Sequence, residues 1–152
     1  MPTNTLDIWT FEQFEISTDL ARLDRDLTVA TLRATYWAQA LSREVIWRSI
    51  ENSRVYGIYD QAKDIQVGFC RLATDMARFA WVSDVFVIDD YKGQGLGKWL
   101  MACVVGDPAL ATVDRWMLAT DDAHGLYAQT GFEPIAAADL SKMMMLRRPK
   151  SA

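Results

Sequence analysis

The run from Val85 to Lys98 is the strongest constraint on what this chain can fold into. An apolar, strand-like stretch, Val85-Phe86-Val87-Ile88, enters the polar turn Asp89-Asp90-Tyr91-Lys92. Gly93, Gly95 and Gly97 follow at every second position, with Gln94, Leu96 and Lys98 between and after them, and an amphipathic helix begins. A glycine-rich turn that opens a helix leaves main-chain N–H groups uncovered where the helix dipole is positive. It is a natural seat for a phosphate or pyrophosphate. The spacing is G-x-G-x-G, not the G-x-G-x-x-G of a dinucleotide fold. A Walker loop fails as well, because Lys98 is followed by Trp99 and not by a Ser or Thr that could hold magnesium.

The 152 residues suffice for one domain with a real core, and a single domain over residues 1–152 is expected. The net charge of −4 argues against a nucleic-acid partner, which needs a basic face. The basic cluster Arg147, Arg148, Lys150 reads as a solvated end. Cys70 and Cys103 lie in apolar patterns and read as small core residues of a reducing compartment. With one histidine, no metal-ligand spacing is present and no metal is expected. No basic-then-apolar leader opens the chain and no stretch is long enough to span a membrane. A cytoplasmic protein without a membrane partner is expected.

Along the chain, the first residues to about Asp7 read as frayed and Ile8 to Ser17 as an edge strand. Leu20 to Arg33 carries helical spacing, and Ser42 caps a second helix to about Asn52. Strands are expected at Arg54–Tyr59 and Ile65–Ala73, paired as a hairpin, and at Phe79–Ile88, whose two apolar faces predict a central place. A helix from Gly95 to about Val105 buries Leu96, Leu100, Cys103 and Val104. A strand at Arg115–Thr120, a helix at Asp121–Thr130 closed by Gly131, and a terminal strand pair near Phe132–Ile135 and Lys142–Leu146 complete the order. A hairpin-rich half followed by strand–helix–strand–helix predicts a mixed α/β sheet, mostly antiparallel, with helices on both faces.

These residues resemble the GNAT superfamily of N-acetyltransferases. Its acyl-CoA signature, Gln or Arg, two residues, Gly, one residue, Gly or Ala, maps onto Lys92-Gly93-Gln94-Gly95-Leu96-Gly97, with Lys in the first place. A second family pattern appears as Thr120, Ala123, Leu126-Tyr127 and Gly131-Phe132, with Thr120 where the family has Asn. The resemblance spans nearly the whole chain. It implies the GNAT acyl-CoA fold, with acetyl-CoA as co-substrate in a gap where the strand Phe79–Ile88 parts from Arg115–Thr120. Pantetheine would pair along Val85, Phe86 and Val87. The pyrophosphate would rest on N–H groups of Gln94, Gly95, Gly97 and Lys98, with Lys92, Gly93 and Leu96 in the same signature and Thr120 in the place of an Asn that hydrogen bonds pantetheine or backbone.

Tyr127 matches the tyrosine that commonly acts as general acid in this superfamily, protonating the leaving thiolate; without the motif it is a core aromatic. Asp84 interrupts the apolar residues Val82, Phe86 and Ile88, and a carboxylate there is costly unless paired. It is a candidate partner of the acceptor amine, or a structural ion-pair member, with Ser83 on the opposite face. His124 lies three residues before Tyr127 and is a candidate proton relay or a surface residue. Tyr36 and Trp37 lie in the connection that lines the acceptor pocket in this superfamily, or simply pack the helix pair. The function expected is acetyl transfer to a primary amine, a small molecule or a protein amine, by direct attack in a ternary complex. An acyl-CoA-binding sensor with little catalysis is the alternative, and a plain nucleotide-binding domain a more remote one. The family also makes a homodimer an expectation.

Overall fold

The computed structural model describes residues 6–149. Six strands form one sheet in the order β1-β2-β3-β4-β5-β6: β1 (Ile8–Phe11), β2 (Phe14–Ser17), β3 (Arg54–Asp60), β4 (Ile65–Thr74), β5 (Phe79–Val87) and β6 (Arg115–Met117). All neighbours are antiparallel except β5 and β6. Helices α1 (Arg25–Arg33) and α2 (Arg43–Glu51) pack with Val55 and Phe69 in one cluster. Helix α3 (Leu96–Val105) packs with Tyr56, Ile58, Val67, Cys70 and Leu72 in the other. Alternation along β3 and β4, Val55 against Tyr56 and Phe69 against Cys70, sends neighbouring side chains to opposite faces and gives the sheet a helix layer on each. The mixed α/β sheet expected from the element order is the one observed. Among the described residues no helix is long and apolar enough to cross a membrane.

Several boundaries differ from the sequence reading. The single edge strand at Ile8–Ser17 is a tight hairpin, β1 and β2, turning at Glu12 with φ 53°. Asp7 is not frayed: its N–H donates to Thr18 Oγ1 (3.0 Å) and its carboxylate accepts from Arg54. The frayed reading of residues 1–5 lies outside the described residues. The helix expected from Leu20 starts at Arg25, because the Asp24 N–H donates to Gln66 Oε1 of β4 (2.8 Å) and the Asp24 side chain caps Leu27 N–H. Ser42 caps α2 as expected, accepting from Val45 N–H.

At the C-terminal end the expected strand pair is absent. Phe132–Ile135 and Lys142–Leu146 form no strand; a short helix α5 (Ala137–Leu140) stands between them. The run Ala136-Ala137-Ala138 favours helix over strand, and β6 is too short to offer a further edge over that length. Met144, Met145 and Leu146 are exposed. The helix expected from Asp121 is the five-residue α4 (His124–Ala128), closed at Gly131 with φ 100° as predicted.

Phe79–Val87 is internal but second from the edge. β6 pairs only with Phe79, Ala80 and Trp81, and the chain leaves the sheet after Met117, three residues earlier than expected. From Val82 onward β5 has no strand on that side, so Val85, Phe86 and Val87 are half-buried walls of a cleft and not part of a fully covered central strand.

Candidate active site

The fork between β5 and β6 opens a cleft of about 1190 Å³. One wall is β5 from Trp81 to Val87; the opposite wall is Ala119–Ala123, Leu126 and Tyr127. The glycine turn and the start of α3 close one end, and Thr31, Ala34, Thr35, Tyr36 and Trp37 close the other. The fork exists because β6 stops at Met117 while β5 continues, leaving a length of β5 main chain open to pair with a ligand.

At the first end, Gly93 and Gly95 have φ of 82° and 79°. Side chains are strained in that region, so the turn itself requires glycine at both positions. A Cβ built at either meets nothing within 4 Å, so open space lies over the turn. Gly97 has ordinary helical backbone and lies 3.8 Å from Leu126 by its would-be Cβ; its role is to keep the cleft wall low. Gly95 is the N-cap of α3 and no side chain caps the helix, so its first N–H groups are uncovered at the positive dipole end. Lys98 lines the cleft there. Lys92 pairs with Asp89 (Nζ–Oδ1 2.8 Å), an exposed pair that contributes little stability and leaves the ammonium at the rim. Gln94 is exposed and not part of the cleft wall. Thr120, where the family has Asn, accepts from Ala123 N–H (3.0 Å) and so sets the entry into α4.

Tyr127 lies on the far wall, edge-on to Phe132 at 6.1 Å between ring centroids. Burial above all pushes its phenol up to about 12, with the charges near Cys70 and Asp122 adding to it. The neutral, donating form therefore persists well above the ordinary tyrosine value of about 10. A raised native pKa of an acid contributes stability that is complete below the unfolded value and is lost as pH rises from about 10 toward 12. The ultraviolet phenolate titration, taken as wild type minus Tyr127→Phe, is expected to show no Tyr127 signal at pH 10; a midpoint there would place the hydroxyl in water.

Asp84 is not where alternation alone puts it. Phe69 faces Phe86 and Arg71 faces Ser83, so Cys70 stands opposite two residues, Asp84 and Val85. This bulge shifts the strand by one, and Val82 shares its face with Val85 and Val87 while Phe86 packs with Phe69 on the other. A one-residue insertion inverts every later side chain. Asp84 and Ser83 thus do not part to opposite faces: Arg71 of β4 holds both, with Nε to Asp84 Oδ2 at 2.7 Å and Nη2 to Ser83 Oγ at 3.0 Å. The Trp37 indole N–H donates to Asp84 Oδ1 (2.9 Å), and Tyr36 stands edge-on to Trp37 at 5.0 Å. Asp121 lies close enough across the cleft to raise the Tyr36 pKa, after the larger effect of burial.

The structure therefore brings together Tyr36, Trp37, Ser83, Asp84, Val85, Phe86, Val87, Lys92, the three glycines, Leu96, Lys98, Thr120 and Tyr127. It does not bring in His124, which is exposed at the start of α4 and outside the cleft. Three spacings place His124 on Tyr127's side of an ideal helix, but α4 begins at His124 and its first residue turns away to solvent. Sequence reasoning missed Arg71 and Asp122, and considered Asp121 only as a residue that could orient the His124 ring, whereas Asp121 lines the cleft and His124 does not. The signal for Arg71 was that it is the one charged residue in the stretch Ile65–Ala73. Cys70, a core residue as expected, is near enough to both Asp84 and Tyr127 to interact electrostatically. It is fully buried with its thiol pushed up to about 12, and Cys103 stands at about 11, so neither is a ready nucleophile at neutral pH.

A sheet that forks beside an uncapped, glycine-started helix, with a phenol on the opposing wall, defines the class of α/β acyltransferases. The model of the Acetyltransferase (GNAT) domain matches residues 51–134. A candidate acetyltransferase of the GNAT family from Xanthomonas campestris pv. campestris is 38% identical, with TM-score 0.80 over 90% of this chain and 93% of that one. A protein of Gibberella zeae named as a candidate acetyltransferase is 28% identical over 76% of this chain and 77% of its own. A candidate acetyltransferase of Clostridium acetobutylicum solved with acetyl-CoA shares the fold alone, at 10% identity and TM-score 0.60 over 88% of this chain and 94% of that one. The chain belongs to the GNAT family of acetyltransferases.

Proposed function

We propose that this protein transfers the acetyl group of acetyl-CoA to a primary amine by direct attack within a ternary complex. The observation that carries this is the joint placement of the open β5 edge, the uncapped α3 N-terminus and Tyr127 around one cleft. The residues fit the cofactor: the space over Gly93 and Gly95 suits a pyrophosphate, with Lys98 and Lys92 at that end. Bound acetyl-CoA supplies an activated thioester, whose C–S bond breaks as the acceptor nitrogen bonds the acetyl carbon.

The protein's own groups do the rest. The main chain of β5 near Val87 offers an N–H to the acetyl oxygen, where negative charge develops. Asp84 receives the acceptor's ammonium and the first proton it sheds, and passes that proton to solvent. Tyr127 gives the departing sulfur its hydroxyl hydrogen, and its phenolate takes up, through solvent, the second proton, which the nitrogen sheds once it is acetylated. Cleft polarity supports a cationic acceptor: Lys92 and Lys98 stand at the glycine end, whereas Asp84, Asp121 and Asp122 stand among Tyr36, Trp37 and Trp81 at the other. The buried, raised thiols of Cys70 and Cys103 support direct attack over an acetyl-cysteine route.

Isothermal titration of acetyl-CoA into wild type and Gly95→Trp tests the reading. Wild type is expected to bind, and the variant to lose affinity by about tenfold or more, since a side chain at φ 79° must rebuild the turn. Release of free CoA thiol with a panel of primary amines then identifies the acceptor. No binding by wild type would overturn the proposal.

A further inference from the structure

The left-handed backbone of Asp84 has a cause outside the cleft. Its φ is 56°, in a strand, at the bulge position where such a conformation ordinarily belongs to glycine. A non-glycine residue persists there only where its surroundings over-determine it, and such strain concentrates at functional sites. The charged group among its surroundings is one guanidinium, with the Trp37 indole on the other carboxylate oxygen. Arg71 Nε donates to Asp84 Oδ2 at 2.7 Å, Nη2 to Ser83 Oγ at 3.0 Å and Nη1 to Ser53 Oγ at 3.2 Å. The side chains of Arg71 and Asp84 are only 19% and 10% exposed, so the pair is screened little. A planar fork that grips three residues at fixed angles leaves the carboxylate one orientation.

That orientation is directional. Oδ2 is turned back to Arg71, which is not part of the cleft wall. Oδ1 is turned to the acceptor end, where the Trp37 indole N–H meets it at 2.9 Å. We propose that Arg71 is a positioning residue: it holds Asp84 in the left-handed conformation and presents Oδ1 to the acceptor end of the cleft. Its effect on catalysis rests on the acceptor role proposed above for Asp84; its effect on Asp84 geometry does not. Lysine in its place keeps one charge but cannot address Asp84, Ser83 and Ser53 together.

The Trp37 indole reports on this geometry without any substrate. Nitrogen–proton spectra of the full chain resolve the tryptophan indoles, and Trp37→Phe identifies the one that belongs to Trp37. In Arg71→Lys and Arg71→Met, the Trp37 indole resonance is expected to move and its solvent exchange to speed up about tenfold or more, as for a lost charge-assisted bond. The other five indoles are expected to stay in place. Arg71→Lys keeps the test open should Arg71→Met not fold. An unchanged Trp37 shift and exchange rate in a folded variant would overturn the proposal, even with a lower urea midpoint, because Arg71 would then be a structural residue only. Acetyl-CoA titration of the same variants is expected to match wild type, while KM for the acceptor rises and recovers only with arginine. Failure of wild type to bind acetyl-CoA would overturn the acetyltransferase reading and leave the indole result standing.

Discussion

Tyr127→Phe is expected to lower kcat by about a hundredfold or more, the range that a positioned proton donor supplies. Acetyl-CoA affinity is expected to stay within about threefold, because the substitution removes one hydroxyl and the glycine turn binds elsewhere. Two features make this variant decisive. The ring is held by contact with Phe132, which phenylalanine preserves, so geometry survives. The hydroxyl is kept protonated by burial, so wild type carries the donor across the whole neutral range. Steady-state thiol release together with titration separates the outcomes. A protein that merely senses acyl-CoA has no turnover to lose, and unchanged kcat would remove Tyr127 from the chemistry.

Asp107→Ala is expected to reduce the unfolding free energy by roughly 3–5 kcal/mol, the cost of stripping one partner from a buried charge network. Asp107 is buried at the end of α3, and its Oδ2 accepts from Arg54 Nε (2.9 Å), Arg54 Nη2 (2.8 Å) and Tyr56 O–H (2.6 Å). Oδ1 accepts from Ala109 N–H at 2.9 Å. Arg54 also reaches Asp7 Oδ2 at 2.6 Å, so the network joins the first segment, β3 and the α3 terminus. Its loss leaves a guanidinium that is 14% exposed with the half-buried Asp7 as its one carboxylate partner, and leaves a tyrosine hydroxyl inside the core without its acceptor. A domain stable by about 5–15 kcal/mol gives up a large share of its margin. Urea unfolding with an unaltered slope and a much lower midpoint is the expected record. A change under about 1 kcal/mol would mean that Asp7 alone satisfies Arg54.

Much of this was present in local pattern. The apolar, β-branched and aromatic runs Arg54–Tyr59 and Ile65–Ala73 on either side of a polar turn were enough to predict the β3–β4 hairpin. Ser42 acted through its own hydroxyl on the next turn and the glycines at 93 and 95 through their own backbone, so their roles were legible from residue type alone. The family followed from the same glycines with Leu126-Tyr127 and Gly131-Phe132, and the walls of the cleft followed from the family.

What the sequence determined was therefore whatever a few consecutive residues decide among themselves: the element types up to α4, the anion-ready turn, the phenol on the next helix. Where elements stop was decided by the tertiary structure. β6 ends at Met117 and α1 begins at Arg25 because partners distant in the chain, β5 and Gln66, claim or release the main-chain groups. The bulge at Asp84, the turning away of His124 and the grip of Arg71 on Ser83 and Asp84 were likewise closed to a linear reading. A single extra residue in a strand inverts every later side chain, and that insertion is visible only in the register against β4. Local propensity chooses the conformation of a segment; long-range hydrogen bonds and ion pairs choose its phase, and the phase places the carboxylate.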